Sequence, residues 1–176
     1  GIGQLRSDLL QELKQYKPAI VRGNASEIIA LASLWDIEAN ACESSRPRGV
    51  DTTDTVEAAR DAAAALARYT GGAVAVSGKK DLVTDGEKVV YSEGGSELME
   101  KVTGFGCSQG GVLAVYATAT NPFTAALAAV AHYNVAGSRA AKVADAPASF
   151  KTAFIEELYR ATARDIADNP FSVEEA

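Results

Sequence analysis

The first part of the chain alternates between patterns typical of helices and of strands. Four apolar residues recur at helical spacing, namely Leu5, Leu9, Leu10 and Leu13. They predict a helix over residues 5–15, which Pro18 ends ahead of a short apolar run at 19–21. That run predicts a strand, so the order at this end of the chain is helix, turn, strand.

A second helix is predicted after the polar turn at residues 22–24. Asn24 or Ser26 can cap a helix that begins near Ala25, with Glu27 in its first turn, where the helix dipole favours a carboxylate. A strand that leads through a polar loop into a helix N-terminus is a common place for ligands to bind in α/β proteins. We therefore expect a binding site at this turn.

The middle of the chain combines a polar stretch, an alanine-rich helix and a buried strand. Residues 36–53 are polar and irregular and predict a surface loop. The alanine-rich residues 55–69 predict a helix that ends at Gly71 and Gly72. The apolar residues 73–77 then predict a buried strand.

Asp85 and Gly86 lie between two short runs of β-prone residues within the segment 81–92. The Asp-Gly pair tolerates the positive φ angles of a tight hairpin turn. This segment therefore predicts a β-hairpin, the most specific local prediction in the chain.

The last part of the chain is helical by pattern. Helices are predicted over residues 107–119, 122–144 and 147–165, with Gly137 as a tolerated interruption of the second and Pro122 at its start. The chain supplies about four predicted strands, of which at least two are parallel and the rest form an antiparallel edge. Together with these helices they predict an α/β fold of three layers, α/β/α.

The composition of the 176 residues is that of one globular domain, with 47% hydrophobic and 23% charged residues. The net charge of −6 argues against a nucleic-acid or anionic-membrane partner, which would require clustered Lys and Arg. No stretch reaches the length of a membrane span, and Asp8 and Glu12 lie where a signal peptide would be apolar. We therefore expect a cytoplasmic protein without nucleic-acid or membrane partners.

Cysteine and histidine are scarce in this chain. The two cysteines, Cys42 and Cys107, make no disulfide framework. Together with His132 they make a poor metal cluster, which argues against a structural zinc site. Cys42 lies in the predicted polar loop and is assigned no role.

Cys107 follows a glycine-rich turn at the start of a predicted helix. Glycines before a helix N-terminus expose backbone N–H groups that attract anions, although tight packing also explains such a turn. The helix dipole favours a thiolate, so Cys107 is a candidate base or nucleophile; its other interpretation is a small, buried apolar residue. A Cys-His pair with His132 is disfavoured, because the residues around His132 have the periodicity of a packed helix.

Arg22 and Glu27 are charged residues at the predicted polar turn, and each has two interpretations. Arg22 is a surface charge at a strand end or a phosphate ligand that uses charge-assisted hydrogen bonds. Glu27 is favoured in the first helical turn by the dipole alone, and the same carboxylate could bind magnesium beside a nucleotide.

Four segments together resemble the hydroxyethylthiazole kinase family, a branch of the ribokinase superfamily. They are YKPAIVRGNASEI at 16–28, AVAVSGKKDLVTDG at 73–86, VTGFGCSQGGVLAVY at 102–116 and ASFKTAFIEELYR at 148–160. Their order and spacing are similar to the C-terminal two-thirds of that family over residues 1 to about 164. The combination of RGN-x-x-E with GxGC is specific, whereas either motif alone is weak.

The resemblance implies transfer of a phosphoryl group from ATP to the alcohol of 4-methyl-5-(2-hydroxyethyl)thiazole, the salvage route to the thiazole half of thiamine. It implies that Arg22, Asn24 and Ser77 contact ATP, with Ser77 replacing the family's usual Thr. It also implies that Glu27 works with Mg²⁺, and that the members form homotrimers with active sites at the subunit boundaries.

The glycine-rich turn receives its roles from the same resemblance. Gly104, Phe105 and Gly106 match the anion hole, and Cys107 occupies the position where most ribokinase-like enzymes carry a catalytic Asp. Phe105 departs from the family's usual Thr. Its large side chain either folds away from the glycines or crowds the phosphate site.

The resemblance further implies that residues 1–176 are the C-terminal portion of a single ribokinase-like kinase domain. The segment GIG at the start is similar to the end of the family's D-P-V-G-x-G turn, and the family's first strands and much of its thiazole pocket precede it. We therefore expect the 176 residues alone to be inactive on the thiazole alcohol. The alternatives are another ribokinase-like small-alcohol kinase and a truncated, non-catalytic fragment that binds nucleotide.

Overall fold

A computed structural model describes residues 4–37 and 56–175. Most of the predicted surface loop at 36–53, including Cys42, lies outside the described residues, as does the GIG segment at the start. None of the described helices is long and apolar enough to cross a membrane.

Five strands form one mixed sheet, in the order β1 to β5 along the sheet. The strands are β1 Ile20–Asn24, β2 Ala73–Ser77, β3 Asp81–Thr84, β4 Lys88–Ser92 and β5 Phe171–Glu175. β1 and β2 are parallel, and every later pairing is antiparallel. The predicted hairpin is confirmed as β3 and β4, with Thr84 opposite Val89 and Gly86 at a φ of 96° in the turn.

Seven α-helices accompany the sheet in the described part of the chain. They are α1 Gln4–Leu13, α2 Ala25–Leu34, α3 Arg60–Thr70, α4 Phe105–Ala117, α5 Pro122–Ala140, α6 Pro147–Arg160 and α7 Ala163–Ala167. Short 3₁₀ turns precede α3 and α4 and follow α1. The helices predicted near 5–15, 25 and 55–69 are confirmed with small shifts at their ends.

Alternate side chains of β2 point to opposite faces of the sheet and divide the core into layers. Val74 and Val76 pack with α2 and α3 on one face. Ala73 and Ala75 pack with α4 and α5 on the other face, beside Leu113. The predicted three-layer α/β/α arrangement is therefore confirmed.

Aromatic residues join α4, α5 and α6 in a separate cluster outside the sheet. Phe105, Tyr133, Phe150 and Phe154 are buried there. The rings of Phe105 and Phe154 lie with their centroids 4.6 Å apart. This cluster attaches the N-terminal turn of α4 to α6.

The single helix predicted over 147–165 is wrong, because the chain forms two helices there. Ala161 leaves helical geometry, with a ψ of 124°. Thr162 then caps α7 by accepting a hydrogen bond from the N–H of Asp165, whose carboxylate accepts one from the N–H of Thr162. This reciprocal capping box starts a new helix, although the apolar spacing continues across the break.

The prediction of about four strands is also wrong, because β5 completes a five-stranded sheet. Phe171 and Val173 of β5 remain substantially exposed, so the segment lacks the apolar run of a buried strand. Its order comes from pairing with β4 rather than from a pattern of its own. The polar turn predicted at 22–24 is in fact the end of β1, which extends through Asn24.

Candidate active site

Arg22 and Ser77 come from the adjacent parallel strands β1 and β2 and meet where both strands end. Their register places Asn24 opposite Ser77, so Arg22 reaches across to the neighbouring strand end. Nη2 of Arg22 donates to Oγ of Ser77 at 2.9 Å, and that hydroxyl donates to the carbonyl of Gly23 at 3.4 Å. The structure thus brings together two of the residues predicted to bind ATP.

The N-terminal part of α4 closes the other side of this arrangement. Nε of Arg22 donates to Oε1 of Gln109 at 3.0 Å. A Cβ atom on Gly106 would lie 3.0 Å from Nη2 of Arg22, so the guanidinium lies directly against this glycine. The absence of a side chain at Gly106 therefore makes room for the arginine.

The first turn of α4 presents backbone donors beside the guanidinium. Gly104 caps the helix with a φ of 92°, a conformation that favours glycine. Its carbonyl accepts from the N–H of Ser108 at 2.8 Å, whereas the N–H groups of Gly106 and Cys107 precede the first bond that a helix can close. Donors from a helix end and from a cation lie side by side, an arrangement that suits an anion.

Cys107 is the third residue of α4 and is exposed. The prediction that it lies at the helix N-terminus is confirmed, and its interpretation as a buried apolar residue is excluded. His132 lies elsewhere, with Nδ1 bonded to the hydroxyl of Tyr116 at 3.1 Å and Nε2 donating to the carbonyl of Leu158 at 2.8 Å. Both ring nitrogens join packed helices, so the disfavoured Cys-His pair does not form.

Phe105 turns its side chain away from the glycines, and only 7% of its surface is exposed. It packs against Phe150 and Phe154 of α6. The structure therefore resolves the alternative that the sequence left open: the ring of Phe105 packs away from the glycines and does not crowd the turn.

Asn24 and Glu27 form a capping box at the start of α2. Oδ1 of Asn24 accepts from the N–H of Glu27 at 2.9 Å, and Oε2 of Glu27 accepts from the N–H of Asn24 at 2.8 Å. Asn24 is therefore the cap, while Ser26 donates to its side chain at 3.0 Å. Structure alone explains why these residue types occur here.

The donor set at this position fits one kind of metal site. Residues 4–37 and 56–175 contain no group of three or more His, Cys, Asp or Glu that could hold a metal. Glu27 is exposed, and within the described part of the chain its Oε1 makes no hydrogen bond. Mg²⁺ is often held by one or two carboxylates together with nucleotide phosphates, so a single free carboxylate oxygen suits that ion.

Three residues that support the site were given no role in the sequence analysis. Gln109 bonds Arg22, as described above. Tyr133 is buried, and its hydroxyl lies 2.9 Å from Oγ of Ser108. Because the Ser108 hydroxyl donates its one hydrogen to the carbonyl of Phe105 at 2.9 Å, the Tyr133 hydroxyl is the donor to Ser108. Burial raises the pKa of Tyr133, which keeps the phenol protonated as a donor. Asp81 is the third.

Asp81 lies at the start of β3, behind the turn that follows Ser77. Oδ1 accepts from the N–H of Gly78 at 3.0 Å, and Oδ2 accepts from Nδ2 of Asn134 at 3.0 Å. Burial raises the pKa of Asp81, and these hydrogen bonds and the charge of Arg22 oppose that shift. Its polar neighbours in sequence gave no indication that this carboxyl is buried.

A three-layer α/β fold with a cation, a hydroxyl and a helix N-terminus at the ends of two parallel strands is typical of proteins that bind phosphate groups. The chain belongs to the hydroxyethylthiazole kinase family, whose family model matches residues 1–164.

Individual relatives agree with this assignment. Proteins named hydroxyethylthiazole kinase from Bifidobacterium longum and Bifidobacterium adolescentis are 44% and 46% identical to this chain and align with 99% and 95% of it. The structure of a hydroxyethylthiazole kinase protein from Pyrococcus horikoshii OT3 matches all of the chain with a TM-score of 0.80 and 26% identity. The chain spans 61% and 60% of the length of those two bacterial relatives and 62% of that structure.

Proposed function

We propose that the protein acts in the cytoplasm as a hydroxyethylthiazole kinase, an ATP-dependent phosphotransferase with an alcohol acceptor. It transfers the γ-phosphoryl group of ATP to the hydroxyethyl group of 4-methyl-5-(2-hydroxyethyl)thiazole, in the salvage of thiamine. The observation that carries this proposal is the position of the Arg22 guanidinium against Gly106, at the same helix end as Cys107. Family membership supports it.

ATP binds through the strand side of the site in this proposal. Arg22 contacts the phosphate groups with the N–H groups that Ser77 and Gln109 leave available. Ser77 and Asn24 border the same phosphates from the ends of β2 and β1. Because these donors are already oriented by the protein, little reorganisation is needed when phosphate charge arrives.

Glu27 would hold Mg²⁺ through its exposed carboxylate, with the nucleotide phosphates as the other ligands. When bound, this ion neutralises charge on the phosphates during transfer. Glu27 also keeps its capping bond to Asn24, which fixes the carboxylate at the end of β1.

Cys107 and the turn before it act on the acceptor side. As the acceptor oxygen bonds to the γ-phosphorus and the bond to the leaving oxygen breaks, the sulfur of Cys107 is the base that accepts the hydroxyl proton. Gly104, Phe105 and Gly106 supply backbone groups around the transferred phosphoryl. Phosphoryl transfer depends mainly on position and charge stabilisation, so a thiol suffices where related kinases use a carboxylate.

The assembly proposed for the protein is a homotrimer with active sites between subunits, built from a single ribokinase-like domain of which residues 1–176 are the C-terminal portion. The exposed face of α4 supports a subunit contact, with Val115 largely exposed. α5 is mostly buried between the sheet and the other helices and serves the internal packing instead. Light scattering of the full-length gene product tests the trimer.

The function is tested with the full-length gene product, after its intact mass has been measured. A coupled assay of ADP release is run with magnesium-ATP and the thiazole alcohol, and in parallel with a pyrimidine alcohol of similar size. ADP release that requires the thiazole alcohol supports the proposal. Preference for the pyrimidine alcohol, or nucleotide binding without transfer, would replace it with one of the alternatives.

A further inference from the structure

Gln109 lies in the second turn of α4 with 5% of its surface exposed, although it is an uncharged polar residue. Its Oε1 accepts the Nε–H of Arg22, a residue 87 positions away in the chain. Since an arginine Nε can only donate, the amide oxygen and not the amide nitrogen must face it. Gln109 therefore joins β1 to the helix that carries Cys107.

The two hydrogen bonds to Arg22 fix the orientation of its planar guanidinium. Gln109 binds Nε and Ser77 binds Nη2, from different elements of the fold. Gly106 lies against the same group, close to both Nη1 and Nη2. A guanidinium has five N–H donors, so the outer donors on Nη1 and Nη2 remain for a ligand. Their direction is set by the bond at Nε.

We propose that Gln109 is a positioning residue for Arg22. This inference rests on the proposed function, in which Arg22 binds the ATP phosphates. By attaching the guanidinium to α4, Gln109 keeps the bound phosphates in register with the helix N-terminus and with Cys107. It touches neither substrate itself.

A neutral amide is well suited to this task. It accepts the Nε–H bond without cancelling the positive charge that attracts phosphate, whereas a carboxylate would orient Arg22 and weaken that attraction. A leucine of similar volume would fill the space without accepting the bond. Gln109→Leu therefore removes the orientation and keeps the packing.

The experiment compares wild type, Gln109→Leu, Arg22→Lys and the double variant in the full-length gene product. Gln109→Leu is expected to raise KM for ATP about tenfold, the effect of a lost hydrogen bond to a charged group, with KM for the alcohol unchanged and the variant still folded by circular dichroism. In the Arg22→Lys background Gln109→Leu should add nothing, because lysine has no Nε–H in a rigid fork. Calorimetric titration with ATP should show the same ratios in Kd.

Gln11→Leu is the matched control, since this glutamine also makes a side-chain bond, to the carbonyl of Leu34, but lies on α1. It should leave KM for ATP unchanged. Gln109→Met serves as a second variant should the leucine variant fail to fold.

The inference is overturned if Gln109→Leu and Gln109→Met leave KM for ATP within about twofold of wild type, a change too small for a lost bond to a charged group. It is also overturned if Gln109→Leu has equal effects with and without Arg22→Lys, which would indicate a general role in packing. Failure of wild type to bind ATP or to release ADP would refute the proposed function instead, so the two failures are distinguishable.

Discussion

The two sides of the candidate site differ in how they are held. On the strand side, Arg22 is hydrogen-bonded to both Ser77 and Gln109. On the turn side, Cys107 is exposed, and the groups around it are backbone atoms of the glycine-rich turn. The arginine of the candidate site is therefore held by side chains from two other elements of the fold, whereas the thiol is exposed at the start of α4.

The largest effect is expected from removing the charge of Arg22 on the strand side. Arg22→Met should lower kcat/KM about a thousandfold, because it removes a preorganised cation from the proposed phosphate site. The ADP-release assay measures this, with circular dichroism to confirm that the variant is folded. A loss below about tenfold would be too small for a residue in this role.

The stability of the turn side is expected to depend on the side chain of Phe105, which points away from the turn. Phe105→Ala should lower the free energy of unfolding by about 3 kcal/mol, because it leaves a cavity among Phe150, Phe154 and Tyr133. Urea unfolding measures the change. Phe105→Leu, which keeps most of the volume, is the matched variant and should cost about 1 kcal/mol. Equal stability of the alanine variant would contradict the packing described for α4 and α6.

Cys107 offers a test of whether the open thiol takes part in chemistry. Cys107→Ala should lower kcat about tenfold to a hundredfold, while Cys107→Asp keeps or raises it, since a carboxylate can also accept a proton. Both are measured at saturating ATP and alcohol. An alanine variant with full activity would remove the base role from Cys107.

A smaller effect is expected from removing the hydroxyl of Ser77 from the strand side. Ser77→Ala should raise KM for ATP about fivefold, because Arg22 loses one of its two neutral partners and the nucleotide loses a hydroxyl. Ser149→Ala is the control, since that hydroxyl also bonds a backbone carbonyl but lies at the start of α6. The expectation fails if the two variants have the same KM for ATP.

The smallest effect is expected in the pH dependence of stability to which Asp81, behind the strand side, contributes. Burial raises the pKa of Asp81 in the folded protein above its unfolded value. The native state then binds the proton of the Asp81 carboxyl group more tightly than the unfolded state does. The contribution of the protonated group to stability is therefore lost as pH rises through the folded pKa. Asp81→Asn should remove that part of the pH dependence, measured by urea unfolding from mild acid to neutrality.

Asp165 provides a control of opposite sign, away from the site. A hydrogen bond from Arg139 holds its pKa well below the usual range of an aspartate. Its contribution to stability is present above the unfolded pKa and is lost as pH falls through the folded one. Relative to Asp165→Asn, wild type should therefore gain stability with rising pH, whereas relative to Asp81→Asn it should lose stability. Slopes of the same sign would contradict these environments.

Much of the fold could be predicted because its signals are local. The capping of α2 joins Asn24 to a residue three positions on, and the hairpin depends on Asp85 and Gly86 within one turn. Failures occurred where local patterns were silent or misleading. Helical spacing continued across Ala161, where a capping box divides α6 from α7, and the exposed strand β5 depends on its partner β4.

From the sequence alone we could predict the layered α/β class, the hairpin, the helix start near Ala25 and the glycine-rich turn before Cys107, because each rests on interactions between near neighbours or on the period of apolar residues. Only the tertiary structure decided that Phe105 packs beneath the turn and that Arg22 lies between Ser77 and Gln109. Those contacts join residues far apart in the chain, and their geometry exists only once β1, β2, α4 and α6 have packed together.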